Sequence, residues 1–244
     1  PILRKLCGKF PLWRYWGPLA SPKVGRTCID WFEAMTDAHD VDEAYLYLPT
    51  LDYAAQAQGP ESSAAVAALK EFRRQLERLA DISMRRGCAL RVVGDYEITP
   101  VTEEPLRPNV VLRRNDLFRT RIVAGMAYPD FYQSTAFAMC DHEFCVVYGE
   151  EREKAAELLL ATGGYERPDT NHEPRATNHV ILLARPGSWC EYKWWTDRRE
   201  APDFASHVDI HNKPGYDPTE LFFFGHGVVK GTHGRKCEVA YAEA

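Results

Sequence analysis

The sequence predicts an α/β fold: a parallel or mixed sheet flanked by helices, with a β-hairpin subdomain. Three observations carry this expectation. Ala44-Tyr45-Leu46-Tyr47-Leu48 is a hydrophobic run of strand length, and Ala89-Leu90-Arg91-Val92-Val93 is a second. Between them, from about Ser62 to Arg86, Val66, Leu69, Phe72, Leu76, Leu79 and Ile82 recur at three- and four-residue spacing. Strand, crossover helix and strand form a right-handed βαβ unit, which puts both strand C-termini on the edge where open α/β sheets bind ligands.

The chain has 244 residues, 45% of them hydrophobic and 27% charged, enough apolar material for one large α/β domain or a domain with a subdomain. A single domain over 1–244 is expected, with a smaller β-rich part within 119–200. Net charge of -5 and a pI near 5.9 supply no global basic field for a nucleic-acid backbone. No apolar run approaches the roughly 20 residues of a membrane span, and no signal-peptide pattern opens the chain. Seven scattered cysteines, with neither Cys-x-x-Cys nor finger spacing, read as mostly buried, reduced thiols. Reduced thiols favour an intracellular compartment or organelle matrix. Pro1 in place of Met is consistent with a removed targeting peptide.

The first strand leads through Pro49-Thr50-Leu51-Asp52-Tyr53 into a loop closed by Gly59-Pro60, and the long helix stops at Gly87. The second strand leads directly into Gly94-Asp95-Tyr96-Glu97. Asp52 and Asp95 thus each follow a strand, and their carboxylates face one crevice if both strands are parallel. Alternatively, each caps the following helix or turn.

Farther along, Asn109–Arg114 forms a short helix. Ala136–His142 and Phe144–Tyr148 form two strands around a turn, and Glu151–Thr162 is an amphipathic helix ending at Gly163-Gly164. His179–Ala184, Arg185-Pro186-Gly187-Ser188 and Trp189–Trp195 read as a hairpin whose aromatics belong to the core or an interface. The last fifth of the chain is polar and turn-rich, and holds His207, His211, His226 and His233. Histidines and aspartates flanked by glycines on irregular backbone suit metal or phosphate chemistry, or are plain surface-loop residues.

Taken in order, several segments resemble the type I phosphodiesterase/nucleotide pyrophosphatase family of the alkaline-phosphatase superfamily, in a divergent branch. They are Phe10-Pro11-Leu12 with Tyr15-Trp16-Gly17-Pro18, Tyr47–Tyr53 with Gln56 and Gly59-Pro60, and Asp95–Val101. Ser134–Ala138, Asp141-His142, Ala201–Ala205, Val208–His211 through Glu220-Leu221-Phe222, and Lys230-Gly231-Thr232-His233-Gly234 follow.

The resemblance implies two metal ions, usually zinc, that activate a Thr or Ser nucleophile and clamp phosphate oxygens. By position, Asp52, Asp95 and His233 match metal ligands, and His211 is a further candidate. Gln56 and Tyr96 stand where ligand histidines are usual. The family's N-terminal nucleophile-bearing stretch has no counterpart here, and neither Thr27 nor Thr36 has the strand-turn-helix setting of a nucleophile. The expectation is a degenerate, non-catalytic protein, without a cofactor as the chain stands, serving as a structural or accessory subunit bound to other protein chains. The alternative is a phosphate-ester or phosphodiester hydrolase completed by a separate N-terminal part, with two zinc ions if the family site is intact.

Overall fold

In a computed structural model of the protein, residues 2–15, 19–168, 178–206 and 229–235 are described, together with the backbone of 241–243. The fold is mixed α/β, with helices packed on small sheets. The chain divides into two compact units: Pro1–Pro100, Leu221–Gly231 and Cys237–Ala244 form one, and Val101–Glu220 with Thr232–Lys236 the other.

The first unit contains α1 (Ile2–Cys7), α2 (Leu12–Tyr15), α3 (Val24–Ala38), α4 (Asp52–Gln58), α5 (Ser63–Arg86), β1 (Arg91–Val93) and β2 (Thr99–Pro100). Helix α5 has its expected ends. Ser62 accepts from the Ala65 N–H at its start, and Gly87, at φ 65°, closes it with bonds from its own N–H to Met84 and from Cys88 to Ser83. Its buried stripe is Ala68, Glu71, Gln75, Leu79 and Ile82, so Val66 and Leu69 lie exposed rather than in the core. Two polar residues occupy the stripe because they are paired. Arg26 of α3 forks onto Glu71, Nε to Oε1 and Nη2 to Oε2, both at 2.6 Å. Gln75 Nε2 donates to the Pro22 carbonyl at 2.9 Å, while Gln75 Oε1 accepts from Thr50 at 2.6 Å. Farther along, Arg78, Arg85 and Arg86 pair with Asp30, Glu33 and Asp37 of α3. Beneath these ion pairs, Ile29, Leu79 and Ile82 form a small core with Phe32, Leu46, Leu48, Leu76 and Leu90.

The expected parallel pairing is corrected here. Residues 44–48 show the alternation of a strand, with Leu46 and Leu48 on that core and Tyr45 and Tyr47 outward, yet they form no ladder with any described residue. Period-two burial needs only a core on one side, whereas a ladder needs a neighbouring backbone at hydrogen-bonding distance. Strand β1 instead pairs antiparallel with β10 (Tyr241–Glu243), Val92 opposite Ala242.

In the second unit, α6 (Pro108–Arg114) precedes a hairpin of β3 (Thr120–Val123) and β4 (Met126–Pro129). Ala124 and Gly125, both at positive φ, supply its two-residue turn. A four-stranded antiparallel sheet follows, in the order β5 (Phe137–Asp141), β6 (Phe144–Tyr148), β8 (His179–Ala184) and β7 (Tyr165–Glu166), with α7 (Arg152–Ala161) between β6 and β7. Alternate residues of the sheet, Ala138, Cys140, Cys145, Val147, Val180, Leu182 and Ala184, are buried in one core with Ala155, Ala156 and Leu159 of α7. The strand-turn-strand over 136–148 and the helix after it match the sequence reading.

The hairpin over 179–195 does not. One edge of β8 is paired with β6, and on the other Leu183 and Ala184, next to the Pro-Gly turn, are paired with β7, which takes the place where residues 189–195 would begin such a hairpin. They run past Leu106 instead: Leu106 N–H donates to Trp189, and Glu191 N–H donates back to Leu106. Trp189, Tyr192, Trp194 and Trp195 go into the core, as expected of aromatics there. Asn109 of α6 ties this region together, receiving the Ala138 N–H and donating to the carbonyls of Ala138 and Tyr192.

Six cysteines lie among the described residues; Cys28, Cys140, Cys145 and Cys190 are buried, as the composition suggested. No described helix is long and apolar enough to cross a membrane. Strand β9 (Gly231–Thr232) carries the glycine of the Lys-Gly-Thr-His segment.

Candidate functional site

Pro49 and Thr50, both buried, end the extended segment, and the bond from Thr50 to Gln75 fixes that end against α5. The chain turns there, Asp52 N–H donating to the Pro49 carbonyl at 3.3 Å, and α4 begins at Asp52. A helical spacing of four puts Gln56 beside Asp52. The Gln56 amide, fully buried, donates from Nε2 to Asp52 Oδ1 at 2.6 Å. From the irregular stretch between β1 and β2, the Tyr96 hydroxyl donates to the same oxygen at 3.0 Å, and it also hydrogen-bonds Tyr47.

The Lys-Gly pair of the Lys-Gly-Thr-His segment crosses close to α4. Lys230 N–H donates to the Gln56 carbonyl at 2.9 Å, and a Cβ on Gly231 would lie 2.3 Å from the Ala55 carbonyl oxygen. Only glycine permits that approach.

Burial is the largest influence on Asp52 and raises its pKa; the Asp95 charge adds to this, while the bonds from Gln56 and Tyr96 oppose it. Burial raises Tyr96 far above the ordinary phenol range, and the Asp52 charge and Tyr47 add to it, so its hydroxyl remains a proton donor. Tyr47 and Tyr15 are also raised, both chiefly by burial, and both sense Asp52. The cluster is therefore one carboxylate, Asp52, held by two proton donors in a setting of protonated phenols. Gln56 Oε1 is buried with no hydrogen-bond partner among the described residues. Its orientation is fixed, because a flipped amide would set Oε1 against Asp52 Oδ1.

Of the sequence-predicted residues, Asp52 and Asp95 both belong to the first unit, Asp52 buried and Asp95 exposed, close enough for Asp95 to act on Asp52. His233 belongs to the second unit. Its carbonyl accepts from Glu143 N–H at 2.9 Å, and its ring lies on that of His142 with centroids 3.7 Å apart. His142 sits at positive φ, 52°, in the turn between β5 and β6; burial, then the proximity of His233, lowers its pKa well below the ordinary value. His211 lies outside the described residues, as do His207 and His226. Among the described residues, no three His, Cys, Asp or Glu side chains converge as a metal-binding group.

Two residues that the sequence offers only inside longer segments, with no site role of their own, take part in these contacts: Tyr47 at the Asp52 cluster and His142 in ring contact with His233. The signal for Tyr47 was its place on the outward face of residues 44–48, beside the site. For His142 it was the Asp-His pair at the tip of a hairpin.

A family model described as Type I phosphodiesterase / nucleotide pyrophosphatase matches residues 13–217. No curated protein matches the chain.

Proposed function

We propose, on the premise that the chain belongs to the type I phosphodiesterase/nucleotide pyrophosphatase family, that it is a degenerate, non-catalytic member acting as a structural or accessory subunit of a larger assembly. One observation carries this reading. The residues standing where ligand histidines are usual, Gln56 and Tyr96, both present hydrogens to Asp52. A ligand histidine offers a lone pair to a cation that in turn satisfies the carboxylate; here the carboxylate is satisfied by the substitutes themselves. The polarity of the half-site is inverted. On this reading the donor set does not fit a zinc ion, since a phenol that keeps its proton offers no anionic oxygen to a metal, and Gln56 Oε1, in place of an imidazole nitrogen, is a neutral oxygen poorly matched to zinc.

The accessory role is supported by residues 44–48. Their backbone forms no ladder with described residues, and Tyr45 and Tyr47 are 90% and 52% exposed. A backbone segment without a ladder partner among the described residues, with outward aromatics, is a surface a second chain can cover.

A second reading, a metal-dependent phosphodiester hydrolase completed by an N-terminal part, is favoured by the presence of Asp52, Asp95 and His233. The two separate on zinc titration by calorimetry, hydrolysis of bis(p-nitrophenyl) phosphate, and native mass spectrometry of the protein from its source. The expected result is no saturable zinc binding, no hydrolysis and stable association with other polypeptides. Gln56→His with Tyr96→His is expected to restore measurable zinc affinity. Stoichiometric zinc in the unaltered chain, or a co-purifying N-terminal fragment whose complex with it turns over the phosphodiester, would overturn the proposal.

A further inference from the structure

We propose that residues 2–15, together with Leu19, form a docking face for the surface of an anionic lipid bilayer. The inference is independent of the non-catalytic reading. In a chain of net charge -5, the first 29 residues contain six basic residues and no acidic one; the first acid is Asp30. Among the described residues of this stretch Arg4, Lys5, Lys9 and Arg14 are all exposed.

Large apolar side chains are exposed among them. In α1, Ile2, Leu3 and Leu6 share one face at helical spacing, with Arg4 and Lys5 beside it. In α2, Leu12 and Trp13 are 66% and 53% exposed, next to Arg14, and Leu19 follows at 65%. Single exposed apolar residues are ordinary, but six within eighteen positions, interleaved with cations and without an acid, are not.

This display is held in place. Phe10 packs edge-on against Tyr15 and against Trp31 of α3, with centroids 5.7 and 5.1 Å away. Gly8 N–H closes α1 onto the Arg4 carbonyl at 3.1 Å, and Ser21 N–H returns to the Arg14 carbonyl at 2.9 Å.

The chemistry selects the occupant. A second copy of the same face would bring two sets of cations together with no acid to separate them. A protein interface of ordinary composition is depleted in lysine at its centre. Anionic headgroups attract juxtaposed Lys and Arg, while Leu, Ile and Trp enter the headgroup-acyl boundary.

The test is co-sedimentation of the full chain with vesicles of phosphatidylcholine alone and of phosphatidylcholine mixed with phosphatidylserine, over a range of salt. Binding is expected to require phosphatidylserine, to weaken with salt, and to fall at least about tenfold in the R4E/K5E/K9E/R14E variant. These side chains are exposed, so the variant is expected to keep its far-ultraviolet circular dichroism. A blue shift of tryptophan emission on binding is expected to shrink in Trp13→Phe. Absence of binding, equal binding to neutral vesicles, or binding indifferent to charge reversal would each overturn the proposal. So would concentration-dependent self-association lost in the same variant, which would assign the face to a second copy.

Discussion

Replacing Asp52 by alanine and by asparagine separates a carboxylate that holds hydrogen bonds from one that waits for a cation. Alanine strands two donors. The Gln56 amide is fully buried, and leaving one buried donor without an acceptor costs about 1–3 kcal/mol. The Tyr96 hydroxyl is half-buried and can turn to water or Tyr47, so its loss adds at most about 1 kcal/mol. Removing a buried carboxylate returns part of this, leaving a destabilisation of roughly 2 kcal/mol. Asparagine keeps an Oδ1 acceptor for both donors and removes the charge that burial and Asp95 oppose, so it is expected within about 1 kcal/mol of the unaltered protein at neutral pH.

The pH dependence follows with a definite sign. Because folding raises the Asp52 pKa above its usual 3.8, the native state binds this proton more tightly. The contribution of Asp52 to stability is therefore greatest below 3.8, declines as pH rises through the raised native value, and is flat beyond it. The asparagine variant lacks that decline. Urea unfolding followed by tryptophan fluorescence, at neutral and acidic pH and with and without zinc, measures all three proteins. If asparagine destabilises as much as alanine at neutral pH, or if zinc stabilises only the unaltered protein, the negative charge itself is required, and the hydrogen-bond account of the site is wrong.

Other expectations concern the supports of each unit. Gly25→Ala would place a Cβ 2.3 Å from Gln75 Oε1, displacing a buried side chain that holds Thr50 and Pro22; a loss of about 2 kcal/mol in chemical denaturation is expected. Glu71, held first by the Arg26 bond and then by Gln75 and Arg74, has its pKa pulled from 4.5 to about 2. Its contribution is present above 4.5 and lost as pH falls through about 2, so Glu71→Gln should flatten stability against pH in that acid window, as acid titration of the folded fraction would show. Asn109→Ala removes the acceptor of the Ala138 N–H and the donor to the Ala138 and Tyr192 carbonyls, all in the core. About 3 kcal/mol should be lost, read from the urea midpoint.

Features that depend on near neighbours in the chain are legible from the residues alone. The span and ends of α5 follow from Ser62, Gly87 and their backbone bonds, and the strand-turn-strand of β5 and β6 follows from a local alternation and a two-residue turn. The family is likewise written in the order of short segments, and so are Gln56 and Tyr96 in place of histidines. Tertiary structure decided the rest, because pairing and polarity are settled by what arrives from elsewhere. Residues 44–48 carry the burial pattern of a strand, but a ladder depends on a neighbour's backbone; residues 189–195 do not join β8, which pairs with β6 on one edge and with β7 at Leu183 and Ala184 on the other. Glu71 and Gln75 enter a buried stripe because Arg26, Thr50 and Pro22 satisfy them, which no periodicity in α5 encodes. The same holds at the candidate site. A glutamine and a tyrosine read along the chain are weak ligands; only their convergence on one oxygen of Asp52, from positions four and forty-four residues away, makes them its hydrogen-bond donors.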